Sequence, residues 1–453
     1  MSNGHLTMHE THDITVIFGL SPALFAGSLF VLTYLLIITE QLNRAIIAMM
    51  AAALMIIGGV LTQEAAVKGV DFNTIGLLTG MMIIVGITRN SGMFQYLAIR
   101  SAKIVKARPW GILVMMMFIT AFLSALLDNV TTVLLIAPIT LLITDTLKIS
   151  AYPYLFAEIF AANIGGTATL IGDPPNIMIA SATGLNFNDF LFNLAPIAIL
   201  ILLITMVPVY LIWGRHLKAA PELIDKVMQY REIDAITDRA LLKKSLFVLT
   251  LVMFGFIVGH DYGFQPATVA MFGAALLLVL NCLPHDQEKQ SKMVHAALCE
   301  VEWITIFFFI GLFILVYGVE TTGLLKLLAN QIIALTDGDK TITAISILFV
   351  SAIASAIVDN IPFVATMIPL IKNMATNFGG AQELLPIWWS LALGACLGGN
   401  GSLVGASANL IVAGFAERSG QPIRFLPFML MAFPLMLASV SISAVYVYIR
   451  YLL

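Results

Sequence analysis

The sequence predicts an all-α polytopic membrane protein made of two inverted five-span repeats, each with a re-entrant hairpin and a broken helix. Three observations carry that prediction. Of the 453 residues, 60% are hydrophobic and only 11% charged, and the mean hydropathy of +0.96 lies far outside the soluble range. Apolar windows of the ~20 residues that a spanning helix needs recur from the first to the last quarter. The second half also repeats the first in register.

The elements follow in order. A polar tail, 1–19, carries no Lys or Arg in its first 18 residues, so the basic region of a cleaved signal is missing and the first apolar segment is expected to be a retained span. His5, His9 and His12 have loose metal-like spacing there, but a polar terminus of this kind reads as disordered. The first repeat, 20–213, is expected to span near 20–38, 45–61, 72–88 and 191–213. A cytoplasmic linker, 214–242, leads to the second repeat, 243–453, with spans near 243–259, 267–283, 303–319 and 425–450. Two more spans, 155–180 and 385–417, are interrupted by glycine-rich polar sequence. Two long apolar stretches, 109–146 and 341–372, each broken once by Asp-Asn, read as hairpins with the polar pair at the tip. "MFQYLAIRSAKIVKARPW" from Met93 is amphipathic and basic, which suits a helix lying in the cytoplasmic surface.

Charge fixes the orientation. With 214–242 inside, only Lys68, Lys326, Lys340, Lys372 and Arg450 of the 23 Lys and Arg fall outside, as the positive-inside rule requires. Both termini then face outward. The repeat is independent of that reading. "VDFNTIGLLTG" from Val70 parallels "VEWITIFFFIG" from Val301, and "SALLDNVTTVLLIAP" from Ser124 parallels "SAIVDNIPFVATMIP" from Ser355 at the same offset. "GGTATLIGDPPN" from Gly165 parallels "GGNGSLVGASAN" from Gly398, two residues later in register. Five spans per copy is an odd number, so the halves must be inverted, as in many secondary transporters.

Non-helical backbone at membrane depth survives only where protein or a wet cavity surrounds it, so the two tips and two breaks are expected to meet at one central site. Its candidate proton and ion groups are Asp128, Asp359 and Asp173, because a charge at bilayer depth is costly enough to need a function. Candidate substrate ligands are Asn129, Thr131, Thr132, Thr167, Thr169, Gly172 and Asn176 in the first copy, with Asn360, Asn400, Ser402, Ser407 and Asn409 in the second. Prolines 174 and 175 withhold two amide donors and the glycines permit unusual backbone, which frees carbonyls to bind something. The second copy has Ala406, Ser407 and Ala408 where the first has Asp-Pro-Pro, so Asp173 has no twin. Burial favours a protonated carboxyl group and a bound cation an ionised one, so competition between proton and substrate is the simplest coupling device. Helix capping is the alternative role for the tip residues, and for Asn129 and Asn360 both roles can coexist. Glu158, nearer the end of its span, is expected at the interface. Cys396 could bind a soft metalloid but reads first as a small buried hydrophobe.

Other classes are set aside. No basic cluster interleaved with aromatics points to nucleic acid, and Cys282, Cys299 and Cys396 are too scattered for a disulfide framework or zinc site. No G-x-x-x-x-G-K-[ST] motif appears, so ATP hydrolysis would need an ATPase partner. Breaks of binding type in both halves argue for alternating access over a channel or receptor.

On its Asp-Asn tip, "AEIFAANIGGTATLIGDPPNIMIASATG" from Ala157 and "GGNGSLVGASANLIVAGFAERSG" from Gly398, the chain resembles the ArsB/NhaD permeases of the ion transporter superfamily, in particular their P protein-like branch. The resemblance implies a dimeric inverted-repeat transporter in a cell membrane, without cofactor and driven by a proton or sodium gradient. Related dicarboxylate carriers have Ser-Asn-Thr where this chain has Asp128-Asn129-Val130 and Asp359-Asn360-Ile361, which weighs against a dicarboxylate. Two activities are implied: proton-coupled export of arsenite or antimonite, a neutral trihydroxide suited to hydroxyl and amide ligands, and, as the alternative, sodium/proton antiport at Asp128, Asp173 or Asp359. The oxygen-rich site puts the metalloid first.

Overall fold

The computed structural model describes residue 16 and residues 19–39, 41–283 and 285–453; His5, His9 and His12 lie outside them. The first half forms α1 (Pro22–Thr39), α2 (Arg44–Ile57), α3 (Gln63–Gly69), α4 (Phe72–Arg89), α5 (Met93–Ile104), α6 (Pro109–Leu126), α7 (Asn129–Thr146), α8 (Tyr152–Thr167), α9 (Pro174–Thr183) and α10 (Phe187–Val209), which runs on as a π-helical turn, Tyr210–Gly214. The linker holds α11 (Pro221–Gln229). The second half forms α12 (Arg239–Val258), α13 (Pro266–Cys282), α14 (Gln287–Cys299), α15 (Trp303–Thr321), α16 (Leu324–Leu335), α17 (Lys340–Ile357), α18 (Asn360–Lys372), α19 (Leu385–Gly398), α20 (Ser407–Arg418) and α21 (Phe425–Val447), again with a π turn, Tyr448–Leu452. Among the described residues nine helices are long and apolar enough to cross a membrane.

Local chemistry sets the helix ends. Side chains of Asp71, Asp128, Asp238, Asp286, Asp339 and Asp359 accept from first-turn amides of α4, α7, α12, α14, α17 and α18. Asn186 and Asp189 close a capping box at the start of α10. Prolines occupy the first turns of α6, α8, α9, α13 and α19, where a missing amide costs no bond. By length α6 and α7 could each cross a bilayer, at ~27 Å for 18 residues. Their junction is held instead at the first helix break, since the Asn129 amide donates to the Gly172 carbonyl at 3.1 Å.

The repeat is written into the helix boundaries. α5 and α16 start and end 231 residues apart, as do α6 and α17, while α10 and α21 with their π turns lie 238 apart. α16 is an element that the expected spans, the nearest being 303–319, do not include. The chain divides into two compact units, Met1–Val70 with Phe307–Leu328, and Asp71–Ile306 with Ala329–Leu453. In the first, a Cβ added at Gly311 of α15 would lie 2.5 Å from the Ala48 backbone of α2. In the second, a Cβ at Gly80 of α4 would lie 2.7 Å from the Ala270 backbone of α13. Each half therefore lends its third span to helices of the other. Within the second unit α7 packs on α20 and its counterpart α18 packs on α9. Such reciprocal packing is what a two-fold relation between repeats produces.

Candidate functional site

The two breaks are built from the same bonds. Ser124 Oγ donates to the Ala162 carbonyl and Ser355 Oγ to the Ala395 carbonyl, both at 2.6 Å. Thr169 Oγ1 donates to the Ala125 carbonyl and Ser402 Oγ to the Ala356 carbonyl, both at 2.5 Å. The Asn176 amide donates to the carbonyls of Gly166, Thr167 and Thr169, and the Asn409 amide to those of Gly399 and Ser402. Carbonyls released by the broken helix are thus gathered by one asparagine in each half, as buried backbone demands. A Cβ at Gly172 would lie 2.6 Å from the Gly166 oxygen, and one at Gly405 2.8 Å from the Gly399 oxygen, so glycine is required where the strands of each break cross.

The hairpin tips close over these breaks. Asp128 caps α7, accepting from Thr131 N at 2.7 Å and Thr131 Oγ1 at 2.6 Å. Asp359 accepts from Ile361 N at 3.1 Å and from Ser407 Oγ of the break in its own repeat at 2.7 Å. Asn360 Nδ2 reaches across to the Asp173 carboxylate at 3.1 and 3.2 Å. Asn129 Nδ2 donates to Asn163 Oδ1 at 3.2 Å, and Asn163 Nδ2 donates to Asn400 Oδ1 and Asn409 Oδ1, both at 3.0 Å. One buried network therefore joins both tips and both breaks, with each tip bonded to the break that carries Asp173. Asp173, Asn176, Asn400 and Asn409 are fully buried, and Asp128, Asn129, Asp359 and Asn360 nearly so.

The expected residues separate by use. Asn129, Asp173, Asp359, Asn360, Asn400, Ser407 and Asn409 make side-chain to side-chain bonds within the site, while Asp128 caps its own helix. Thr167, Thr169, Ser402 and Asn176 spend their donors on backbone carbonyls, so they shape the breaks. Thr131 serves Asp128, and the buried Thr132 hydroxyl and Asn400 Nδ2 have no partner. Sequence reading missed Asn163, the hub of the amide cluster. Its repeat counterpart is Cys396, whose thiol lies 3.6 Å from Asn176 Oδ1, so pairing the copies gave no matching polar residue. An asparagine at membrane depth was the available signal. Glu158 corrects a second expectation: it is fully buried against Thr140, not interfacial, because α8 is wrapped by α6, α7, α10, α19 and α20.

The electrostatics are one-sided. Segments 109–147, 149–214, 341–371 and 373–417, which supply every part of the site, contain no Lys, Arg or His. The basic residues lie outside, and some fasten the linker. Glu232 takes Lys103 Nζ at 2.6 Å and Arg100 NH1 at 2.9 Å from α5, and these hydrogen bonds, that of Lys103 first, hold its carboxyl down to about 2. Tyr230 Oη meets Thr146 Oγ1 at 2.9 Å, where α7 ends.

Comparison with known proteins agrees with this architecture. The family described as citrate transporter matches residues 34–394. An uncharacterized transporter of Mycobacterium tuberculosis is 42% identical over 430 residues, covering 94% of this chain and 98% of its own. The P protein of Sus scrofa is 34% identical, covering 92% of this chain and 58% of that protein. The crystal structure of the Alcanivorax borkumensis YdaH transporter superposes with a TM-score of 0.60 over 95% of this chain and 99% of the other, at 14% identity, which speaks for the fold alone.

Proposed function

The chain belongs to the citrate transporter family, and on that premise we propose that it is a secondary transporter exchanging protons for a small cation, with sodium as cargo. The observation that carries this reading is the convergence of three carboxyl groups in segments without a basic side chain: the Asp128-Asn129 tip bonds the Gly172 carbonyl beside Asp173, and the Asp359-Asn360 tip bonds Asp173 itself. Like charges gathered in a site that water does not reach repel more strongly than they would in bulk water. Citrate, from which the family takes its name, would add its own charges to that repulsion. A cation or a proton relieves it, and each excludes the other, so binding of one releases the other. Oxygen ligands suited to a hard cation are at hand: the carboxylates, the Ser407 hydroxyl and the carbonyl of Gly172. Alternating access across the two-fold then moves the occupied site between faces, driven by a proton or sodium gradient.

Export of arsenite or antimonite is the second reading. The amide cluster Asn163, Asn400 and Asn409, with Asn400 Nδ2 unpartnered, favours a neutral trihydroxide, and the carboxylates would again carry the proton. Calorimetry on the purified protein separates the two. Sodium chloride should give heat that depends on the buffer's ionisation enthalpy, because protons are released, with affinity rising as pH rises. Heat from arsenite alone would replace the first reading by the second.

A further inference from the structure

Two polar rungs join α7 to α8. The inner one is Asn129 to Asn163 at the site. The other, eleven residues farther along α7, is Thr140 Oγ1 donating to Glu158 Oε1. Glu158 is fully buried and its Oε2 has no partner. The matching positions of the second repeat hold Leu391 and Ile371, so the fold itself does not need this acid. The buried Thr132 hydroxyl, which also lacks a partner, lies between the two rungs on α7. Asn129, Thr132 and Thr140 share one face of that helix, at spacings of three and eight residues. The seven residues between Thr132 and Thr140 are all apolar, so Glu158 stands apart from the tip, about 12 Å along α7 from Thr132 and toward the end of the helix that touches the linker.

Resting on the proton-coupled reading above, we propose that Glu158 is a second proton-binding group, a station between the cytoplasmic side and the central carboxylates. Its Oε2–H passes a proton to water admitted between α7 and α8, that water carries it to the Asp128 carboxylate, which becomes the acid, and the Glu158 carboxylate left behind is reprotonated from the cytoplasm. Few other ionisable groups compete on the elements packed around it: none on α6, Asp145 at the far end of α7, Tyr152 and Tyr154 on α8 itself, Asp189 on α10, Cys396 on α19, and Glu417 and Arg418 at the end of α20. Glu158 gives the first repeat an acidic group on one side of the site that the second repeat lacks.

Glu158→Gln keeps an acceptor for Thr140 but cannot carry a proton. Difference infrared spectroscopy on the wild type should show a protonated-carboxyl band that titrates reversibly and is absent from the variant. In proteoliposomes the variant should bind cation yet exchange protons more slowly, on the order of a hundredfold, the usual worth of a positioned proton-transfer group. A band that never titrates, or a variant with wild-type rate and pH profile, overturns the proposal and leaves Glu158 as a neutral packing group. Should the glutamine variant not fold, Thr140→Val removes the partner that Glu158 has among the described residues, and the titration of the band must then move; a fixed titration point overturns the proposal equally. Absence of any cation-evoked proton flux in the wild type would refute the proposed function, whereas the infrared titration reads Glu158 whatever the cargo.

Discussion

Gly165→Ala should destabilise the transporter by about 1–3 kcal/mol, although alanine is the better helix former by about 1 kcal/mol. Gly165 faces α6, and its added Cβ would lie 2.2 Å from the Ala121 oxygen and 2.6 Å from the Ala121 Cα. Ordinary contact begins at 3.4 Å, so α6 and α8 would have to part by about 1.2 Å. Overpacking of that size costs about 1–3 kcal/mol. The Ser124 hydroxyl bond across the same contact, 2.6 Å long, would stretch beyond hydrogen-bond range and forfeit about 1 kcal/mol more. Gly414 of α20 is the control: it is helical and has nothing within 4 Å of its would-be Cβ, so Gly414→Ala should be neutral or stabilising by up to about 1 kcal/mol. Unfolding of the two variants in the same detergent, followed thermally, compares them directly. Because α6 carries the Asp128 tip, transport by Gly165→Ala should fall as well. Equal stability for both variants would refute the claim that the helices touch backbone to backbone at this glycine.

Three further outcomes follow from the geometry. Asp128→Asn keeps an oxygen for the Thr131 amide, so unfolding should move by no more than about 0.5 kcal/mol while proton-coupled flux is lost; full coupled flux in the purified variant would remove Asp128 from the site. Asp173→Asn should still pair with Asn360 yet weaken cation binding, as read by calorimetry, and unchanged affinity would exclude its carboxylate as a ligand. The linker should stay docked on α5 as pH falls, because the Glu232 carboxyl is held down to about 2: its contribution is whole above the ordinary carboxylate range and is lost only as pH drops through that low value. Limited proteolysis of the linker should therefore be slow and alike at neutral and mildly acidic pH and fast in Glu232→Gln, and a jump in cleavage near the ordinary glutamate range would contradict this.

The sequence carried most of the fold because two signals reinforced each other. Spanning length set the helices, and the internal repeat set their correspondence, so both tips and both breaks were legible as Asp128-Asn129, Asp359-Asn360, "IGDPPN" and "VGASAN". What escaped has physical reasons. α16 carries only Lys326, Asn330 and Gln331 among apolar residues, too little contrast with the preceding span for a hydropathy window, though its twin α5 marked its place. Asn163 was hidden because the second copy holds Cys396 there, and repetition rewards only residues that recur. Glu158 looked interfacial by its distance along one helix, but burial depends on the helices packed around it, which distance along the chain does not reveal.

Proton flux in proteoliposomes tests the central claim most directly. With an imposed pH gradient and lumenal pH followed by a trapped dye, sodium should evoke proton movement in vesicles containing the protein and none in protein-free vesicles, and Asp173→Asn should abolish it. Proton movement evoked by arsenite and not by sodium would contradict cation exchange and assign the buried carboxylates to metalloid export.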